Sequence, residues 1–193
     1  MIRKFGYIAF LFLCALSFSL VSCGSDDDDD NTEVVYDEAW KAENEQAFEE
    51  KKSDPEFTEV QSTGNEGSIL MKQLQAGDGE RVYYTSRVKV YYKCSTIDGV
   101  VQDERSRPYD DPFRVAVSSG VADYDSSSNP DGYSTVIIGW TIALQQMRVG
   151  DKWEVWIPWQ LAYGYEQKGD IQPCSALIFE IEVVDVLQKG ETE

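Results

Sequence analysis

The stretch Val136-Ile-Ile-Gly-Trp-Thr-Ile-Ala-Leu-Gln-Gln-Met-Arg-Val-Gly-Asp151 decides how the rest of this 193-residue chain is read. After Gly139, the apolar residues Ile142, Ala143 and Met147 recur at helical spacing with Leu144 beside them, so the segment reads as a short helix closed by Gly150. Its first residue is then Trp140, the largest apolar side chain available, set directly after a glycine. A ring of that size at the mouth of a two-turn helix needs a purpose.

The surroundings of this helix read as strands. Ile69 to Leu74 is a short apolar run broken by Gly77-Asp78-Gly79. Between Arg87 and Thr96, Val88, Val90, Tyr92 and Cys94 point one way and Lys89, Tyr91 and Lys93 the other. Asp98-Gly99 is a turn pair. Phe113, Val115 and Val117 alternate, as do Trp153, Val155 and Ile157 against Lys152, Glu154 and Trp156. Leu177, Phe179, Ile181 and Val183 form the last such face. Five or six strands and one convincing helix predict an antiparallel α+β domain, a five- to six-stranded sheet wrapped on one short helix. The residue at the start of that helix then sits at the edge of the core, where an apolar ring can floor a pocket.

Composition narrows the chemistry. The chain has 17 basic and 35 acidic residues, a formal charge of −18, and no histidine. Such a charge is repelled by phosphate backbones, so no nucleic-acid partner is expected. Without histidine there is no Ser-His-Asp or Cys-His nucleophile, no histidine general base and no histidine-ligated zinc. No cofactor or metal is expected.

The first 22 residues form a separate object: Arg3 and Lys4, then the nearly uncharged apolar run from Phe5 to Val21. This is a secretory signal, too short and too poorly flanked for a stable span. Leu20-Val-Ser-Cys23 resembles the bacterial lipobox, which makes Cys23 the expected lipidated first residue of the mature chain; in a plain signal peptide Cys23 would be incidental. Asp26 to Asp30 resembles the acidic export signal of Bacteroidetes surface lipoproteins, although a solvated spacer has the same composition. The expected location is therefore lipid-anchored in the outer membrane, surface-exposed or facing the periplasm. Residues 23–54 hold 3 basic and 13 acidic residues, the composition of a self-repelling tether. Within it, Asp37 to about Lys52 reads as a short helix with a thin apolar stripe, Trp40, Ala47 and Phe48. It docks on the domain or on a partner copy. Three parts follow: signal peptide 1–22, acidic tether with a short helix 23–54, and a globular domain 55–190.

The order of motifs is more specific than any one of them. V-K-V-Y-Y, D-G-V-V-Q-D, P-F-R-V, V-I-I-G-W, L-Q-Q-M-R-V-G-D, L-A-Y-G and P-C-S-A-L-I-F-E-I-E-V occur in sequence between about Ile69 and Leu187. Together they resemble the FKBP peptidyl-prolyl isomerases. The resemblance implies a proline pocket in which Tyr92, Asp103, Ile137, Trp140 and Tyr163 carry catalysis and Phe113, Val136, Ile171 and Phe179 bind substrate. It implies that Trp140 supports the proline ring from below, that the Ile137 backbone N–H and the Tyr163 hydroxyl meet the substrate, and that Asp103 orients the pocket without acting as an acid. Proline-containing polypeptides are the implied partners, and the family's macrolide inhibitors are candidate ligands. In the family's sheet the strands bearing Cys94 and Cys174 are neighbours, which implies a disulfide between them in an exported chain; the alternative is two buried thiols.

Four departures from the family's pattern stand out. Gln102 replaces an aromatic wall residue, Cys94 stands where glycine is common, and Ser118–Thr135 is about a dozen residues longer than the usual connection, the length of a functional loop. Lys168-Gly169-Asp170 also replaces residues that are often apolar. Three functions remain open: a prolyl isomerase, or rotamase, that assists the folding of exported proteins; a non-catalytic module that holds a proline peptide or a partner on the same fold; and a chaperone that dimerises through residues 37 to 52.

Overall fold

The computed structural model describes residues 35–64, 67–118 and 132–187. The signal segment, Cys23, the Asp26–Asp30 run and residues 119–131 of the inserted loop lie outside them. Among the described residues there are two helices, α1 (Glu38–Lys52) and α2 (Ile138–Leu144), and seven strands. These are β1 (Thr58–Gln61), β2 (Ser68–Gln75), β3 (Arg87–Ser95), β4 (Val101–Arg105), β5 (Phe113–Ala116), β6 (Lys152–Ile157) and β7 (Leu177–Leu187). They make one antiparallel sheet in the order β1-β2-β6-β7-β3-β4, with β5 also on β3. The α+β architecture is as expected, and the sheet has one strand more than the upper expectation.

The longest pair is β3 and β7, running from Arg87 opposite Leu187 to Ser95 opposite Ile178 with a shift of register between Lys89 and Val90. The other edge of β3 is shared. Its first half, Arg87–Val90, pairs with β5, and its second half, Tyr92–Ser95, with β4. This split gives β3 two partners on one side and opens the sheet where Tyr92 stands. Side chains alternate along these strands as the sequence implies: Val88, Val90, Val155, Ile157, Leu177, Ile181 and Val183 are buried against α2, one face covered as an antiparallel sheet allows.

The helix α2 corrects the expected boundaries. It begins at Ile138, two residues before Trp140, and ends at Leu144. Ile137 is its cap, with extended backbone and no side-chain acceptor, so the usual polar start signal is missing. Beyond Leu144 the chain tightens into three-residue turns, Gln146 N–H to Ala143 O and Met147 N–H to Leu144 O. Gly150 lies in the following turn with φ +91°, where a Cβ would stand 3.2 Å from the Gly77 Cα. Gly139 is what lets α2 lie directly on the sheet. A Cβ there would meet Ile157 Cγ2 at 2.4 Å and Cδ1 at 2.7 Å.

The first helix docks on its own domain. Asp37 caps it, accepting from Ala39 and Trp40 N–H at 2.8 and 3.1 Å. Lys51 and Lys52 close it, as the helix dipole favours. Phe48 is buried and Trp40 donates from Nε1 to Ser175 Oγ at 2.9 Å. Asn44 is fully buried, and its Oδ1 accepts from the Ala176 N–H at 2.8 Å. Helix and sheet fall in one compact unit, so the division expected between residues 54 and 55 runs inside it.

The close contact of α2 with β6 sets a test. Gly139→Ala gains up to about 1 kcal/mol of helix propensity but forces a β-branched, fully buried Ile157 or the helix to shift. The expected net loss is about 1–3 kcal/mol of unfolding free energy, read by urea denaturation. An unchanged midpoint would mean that α2 does not sit on Ile157 as described.

Candidate active site

The open corner between β3, β4, β5 and α2 holds a cavity of about 710 Å³. Each wall is positioned by a different element. Tyr92 comes from the middle of β3, Asp103 from β4 and Phe113 from the first position of β5. Val136 and Ile137 lead into α2, and Trp140 rises from its first turn. Phe179 is on β7, opposite Cys94 on β3. Tyr163 and Ile171 come from the connection between β6 and β7. All nine pocket residues expected from the sequence line this one cavity.

Trp140 forms its base. The indole is 3% exposed, and two rings stand edge-on to it: Tyr92 at 5.4 Å and 83°, Phe179 at 5.3 Å and 90°. Edge-to-face contacts of this kind are favourable for aromatic quadrupoles. Phe113 tilts against Tyr92 at 5.5 Å, with the Arg105 guanidinium 5.5 Å from the centre of the Phe113 ring. The result is a rigid apolar cup, since each ring is held by another.

Polar groups are few and mostly committed. The Tyr92 hydroxyl donates to Asp103 Oδ2, whose Oδ1 accepts from the Glu104 N–H at 2.9 Å. Asp103 thus fixes Tyr92. Gln102 donates from Nε2 to Thr96 Oγ1 at 3.3 Å, which holds its amide in the wall. The Ile137 N–H and the Tyr163 hydroxyl have no partner among the described residues and are available to a bound peptide. Burial, followed by the hydrogen bond to Asp103, pushes the Tyr92 hydroxyl far above the usual tyrosine range. Burial also raises Tyr163. Both therefore stay protonated at neutral pH and act only as hydrogen-bonding groups.

Tyr163 is held by its connections. Trp159–Leu161 forms a short 3-10 turn, and Gly164, at φ +63°, returns its N–H to Trp159 O at 2.9 Å. The Cys174 N–H then binds Gly164 O at 2.8 Å. Trp159 donates from Nε1 to Glu45 Oε1 of α1 at 3.1 Å, so the N-terminal helix buttresses the Tyr163 loop from behind. Ile171 closes a tight turn with Lys168, paired through both backbone groups at 3.0 Å.

The expected disulfide is not formed: Cys94 and Cys174 are both buried free thiols. Register explains it. Cys94 pairs with Phe179, five residues past Cys174, and lines the pocket, whereas Cys174 precedes β7 and lies beside α1, where Lys41, Glu45 and Glu38 are its charged neighbours. Burial and the nearby Asp103 push the Cys94 thiol up to about 12. Its place on the same alternating face as Tyr92 is the sequence signal that marks it as a wall residue. Lys168, Gly169 and Asp170 complete the rim.

Residues 79–184 match the model of the family described as FKBP-type peptidyl-prolyl cis-trans isomerase. The FKBP-type 22 kDa peptidyl-prolyl cis-trans isomerase of Escherichia coli K12 is 36% identical over 63% of this chain and 52% of its own length. The outer membrane protein MIP of Legionella longbeachae is 34% identical over 61% of this chain and 44% of its own. The chain spans about half the length of these curated relatives. A crystal structure of a peptidyl-prolyl cis-trans isomerase from Pseudomonas syringae pv. tomato superposes with a TM-score of 0.61 at 33% identity, covering 78% of this chain and 96% of that one.

The separation of the thiols has a direct check. Alkylation of non-reduced protein in denaturant should label both Cys94 and Cys174, while folded protein should leave both unlabelled. Recovery of a Cys94–Cys174 linked peptide by mass spectrometry would contradict the geometry.

Proposed function

The chain belongs to the FKBP-type peptidyl-prolyl cis-trans isomerase family, and we propose that it isomerises X-Pro bonds of exported polypeptides in the cavity over Trp140. The observation that carries this reading is the convergence of five aromatic rings on one cavity that keeps the Ile137 N–H and the Tyr163 hydroxyl free.

Rotation about an X-Pro bond is opposed by about 18–20 kcal/mol of amide resonance, although the two end states differ by only ~0.5–1 kcal/mol. No proton transfer and no nucleophile is needed, which suits a pocket with no histidine and with its hydroxyls and thiol protonated. The proline ring rests on the Trp140 indole between Tyr92 and Phe179. The Ile137 N–H and the Tyr163 hydroxyl bind carbonyls on the two sides of the ring and hold the peptide in register. The twisted amide has lost resonance, so its carbonyl is less polarised and less dependent on water. A dry, preshaped apolar cup therefore favours it over either planar form. Asp103 keeps Tyr92 in place by accepting its hydroxyl.

The reading extends to location. A lipid on Cys23 anchors the protein in the outer membrane, surface-exposed or facing the periplasm, with Asp26–Asp30 as the signal for the surface; support comes from the sequence motifs and from the Legionella relative, which is named an outer membrane protein. A binding module remains the second reading, favoured by Gln102, which makes one wall polar where the family's pattern has an aromatic ring. For the chaperone that dimerises through residues 37 to 52, the apolar stripe of α1 is largely used within the chain: Phe48 is buried, and half-buried Trp40 is bonded to Ser175.

Protease-coupled isomerisation of an X-Pro-Phe peptide, with and without a macrolide inhibitor, tests the activity. Trp140→Leu keeps the base apolar but removes its flat face, and kcat/KM should fall about tenfold, or about 1.4 kcal/mol. Tyr163→Phe should cost the same or less. Trp153→Leu should reduce stability and leave activity per folded molecule intact. Because the pocket hydroxyls and thiol all titrate above neutrality, the rate should be flat from about pH 6 to 9. No catalysis in wild type, and none awakened by Gln102→Phe, would leave the binding module.

The anchor has its own assay. Labelled palmitate should enter wild type in cells and not Cys23→Ser; an unlabelled, soluble wild type would remove the lipid from the account.

A further inference from the structure

A second cavity of about 270 Å³ adjoins the first. Gln102 and Asp170 line both, so a peptide that leaves the aromatic cup over this wall enters the second cleft directly. The two cavities differ in character. The cup is built of rings, whereas the cleft is lined by two acidic residues, Asp98 and Asp170, together with Trp40. No basic residue lines it, and neither carboxylate has an ion-pair partner among the described residues.

Asp98, Trp40 and Gln102 are held in place by hydrogen bonds. Asp98 Oδ1 accepts from Thr96 Oγ1 at 2.6 Å and the Val100 N–H at 3.3 Å, which holds the carboxylate on the turn and keeps its carboxyl below the usual range. Trp40 uses its only polar atom on Ser175, leaving the ring as an apolar wall. Gln102 is tied to Thr96. A cleft lined by an indole and two carboxylates is suited to a cation: the ring attracts it through its quadrupole and the carboxylates through charge.

We infer that this cleft is a specificity subsite that takes a lysine or arginine side chain of the client peptide, within two or three residues of its proline. It rests on the proposal that the aromatic cup binds the proline itself. The substitution of Gln102 for an aromatic wall has then a purpose, because a shorter polar wall lets the peptide cross from cup to cleft. The helix α1 contributes Trp40 to recognition in addition to buttressing the Tyr163 loop.

Two pairs of X-Pro-Phe peptides decide the matter. One pair carries Lys or Glu two residues before the proline, the other two residues after the Phe. Affinity is measured by calorimetry at about 0.15 M salt, which screens the general field of the acidic chain, and cis–trans exchange by NMR on the same samples. At one of the two positions the Lys peptide should bind about fivefold more tightly than its Glu twin, the scale of one or two exposed charge contacts. The doubly substituted Asp98→Asn/Asp170→Asn protein should bring that ratio below about twofold. Asp78→Asn, exposed in the turn beside Gly77 at the far end of the sheet, should leave it unchanged. Equal affinities at both positions overturn the subsite, as does a preference that survives the double substitution. Exchange with equal affinities would leave the isomerase without the subsite; a Lys preference without exchange would leave the subsite on a binding module.

Discussion

The contact between Gly139 and Ile157 is the constraint on which the pocket depends. A helix of seven residues is too short to be stable by itself, and α2 persists because its buried face lies on the sheet with no Cβ between it and β6. That approach fixes the height and rotation of the helix. Trp140, the next residue, is thereby aimed away from the sheet's centre and toward its open corner, where Tyr92 and Phe179 meet it edge-on. A side chain at position 139 would lift the helix, and the base of the cup would move with it.

Around this contact the remaining parts act as supports. β3 divides its outer edge between β4 and β5, which leaves a gap in the sheet and brings Asp103 and Phe113 to either side of Tyr92. The Tyr163 loop is held from within by Gly164 and Cys174 and from outside by Trp159 on Glu45. Buried Asn44 ties α1 to the start of the last strand at Ala176, so the segment after the acidic tether is part of the scaffold. The same helix supplies one wall of the polar cleft beside the cup.

The sequence made the inward faces of β3, β6 and β7 legible, because each alternates with period two; β2 was legible only as an apolar run, since Ser68–Met71 are all buried. β1 was not legible: Thr58–Gln61 is an edge strand in which only Val60 packs on the core, so no alternation marks it. The start of α2 was placed two residues late because it has no polar cap and carries a glycine in its first turn. The ordered motifs identified nine residues that do come together in one cavity. The supposed disulfide failed for a different reason. Neighbouring strands do not imply facing residues, and the register sets Cys94 against Phe179.

The proposed isomerisation has no chemical step to expose, so its central claim is about where the proline ring sits. The most direct measurement is the set of nuclear Overhauser contacts between the ring protons of an X-Pro-Phe peptide and the labelled protein, recorded with cis–trans exchange peaks in the same sample. The account predicts contacts from the proline ring to the Trp140 indole and the Phe179 ring, accompanied by exchange faster than in free peptide. Proline contacts elsewhere on the surface, with the Trp140 resonances unmoved, would contradict it.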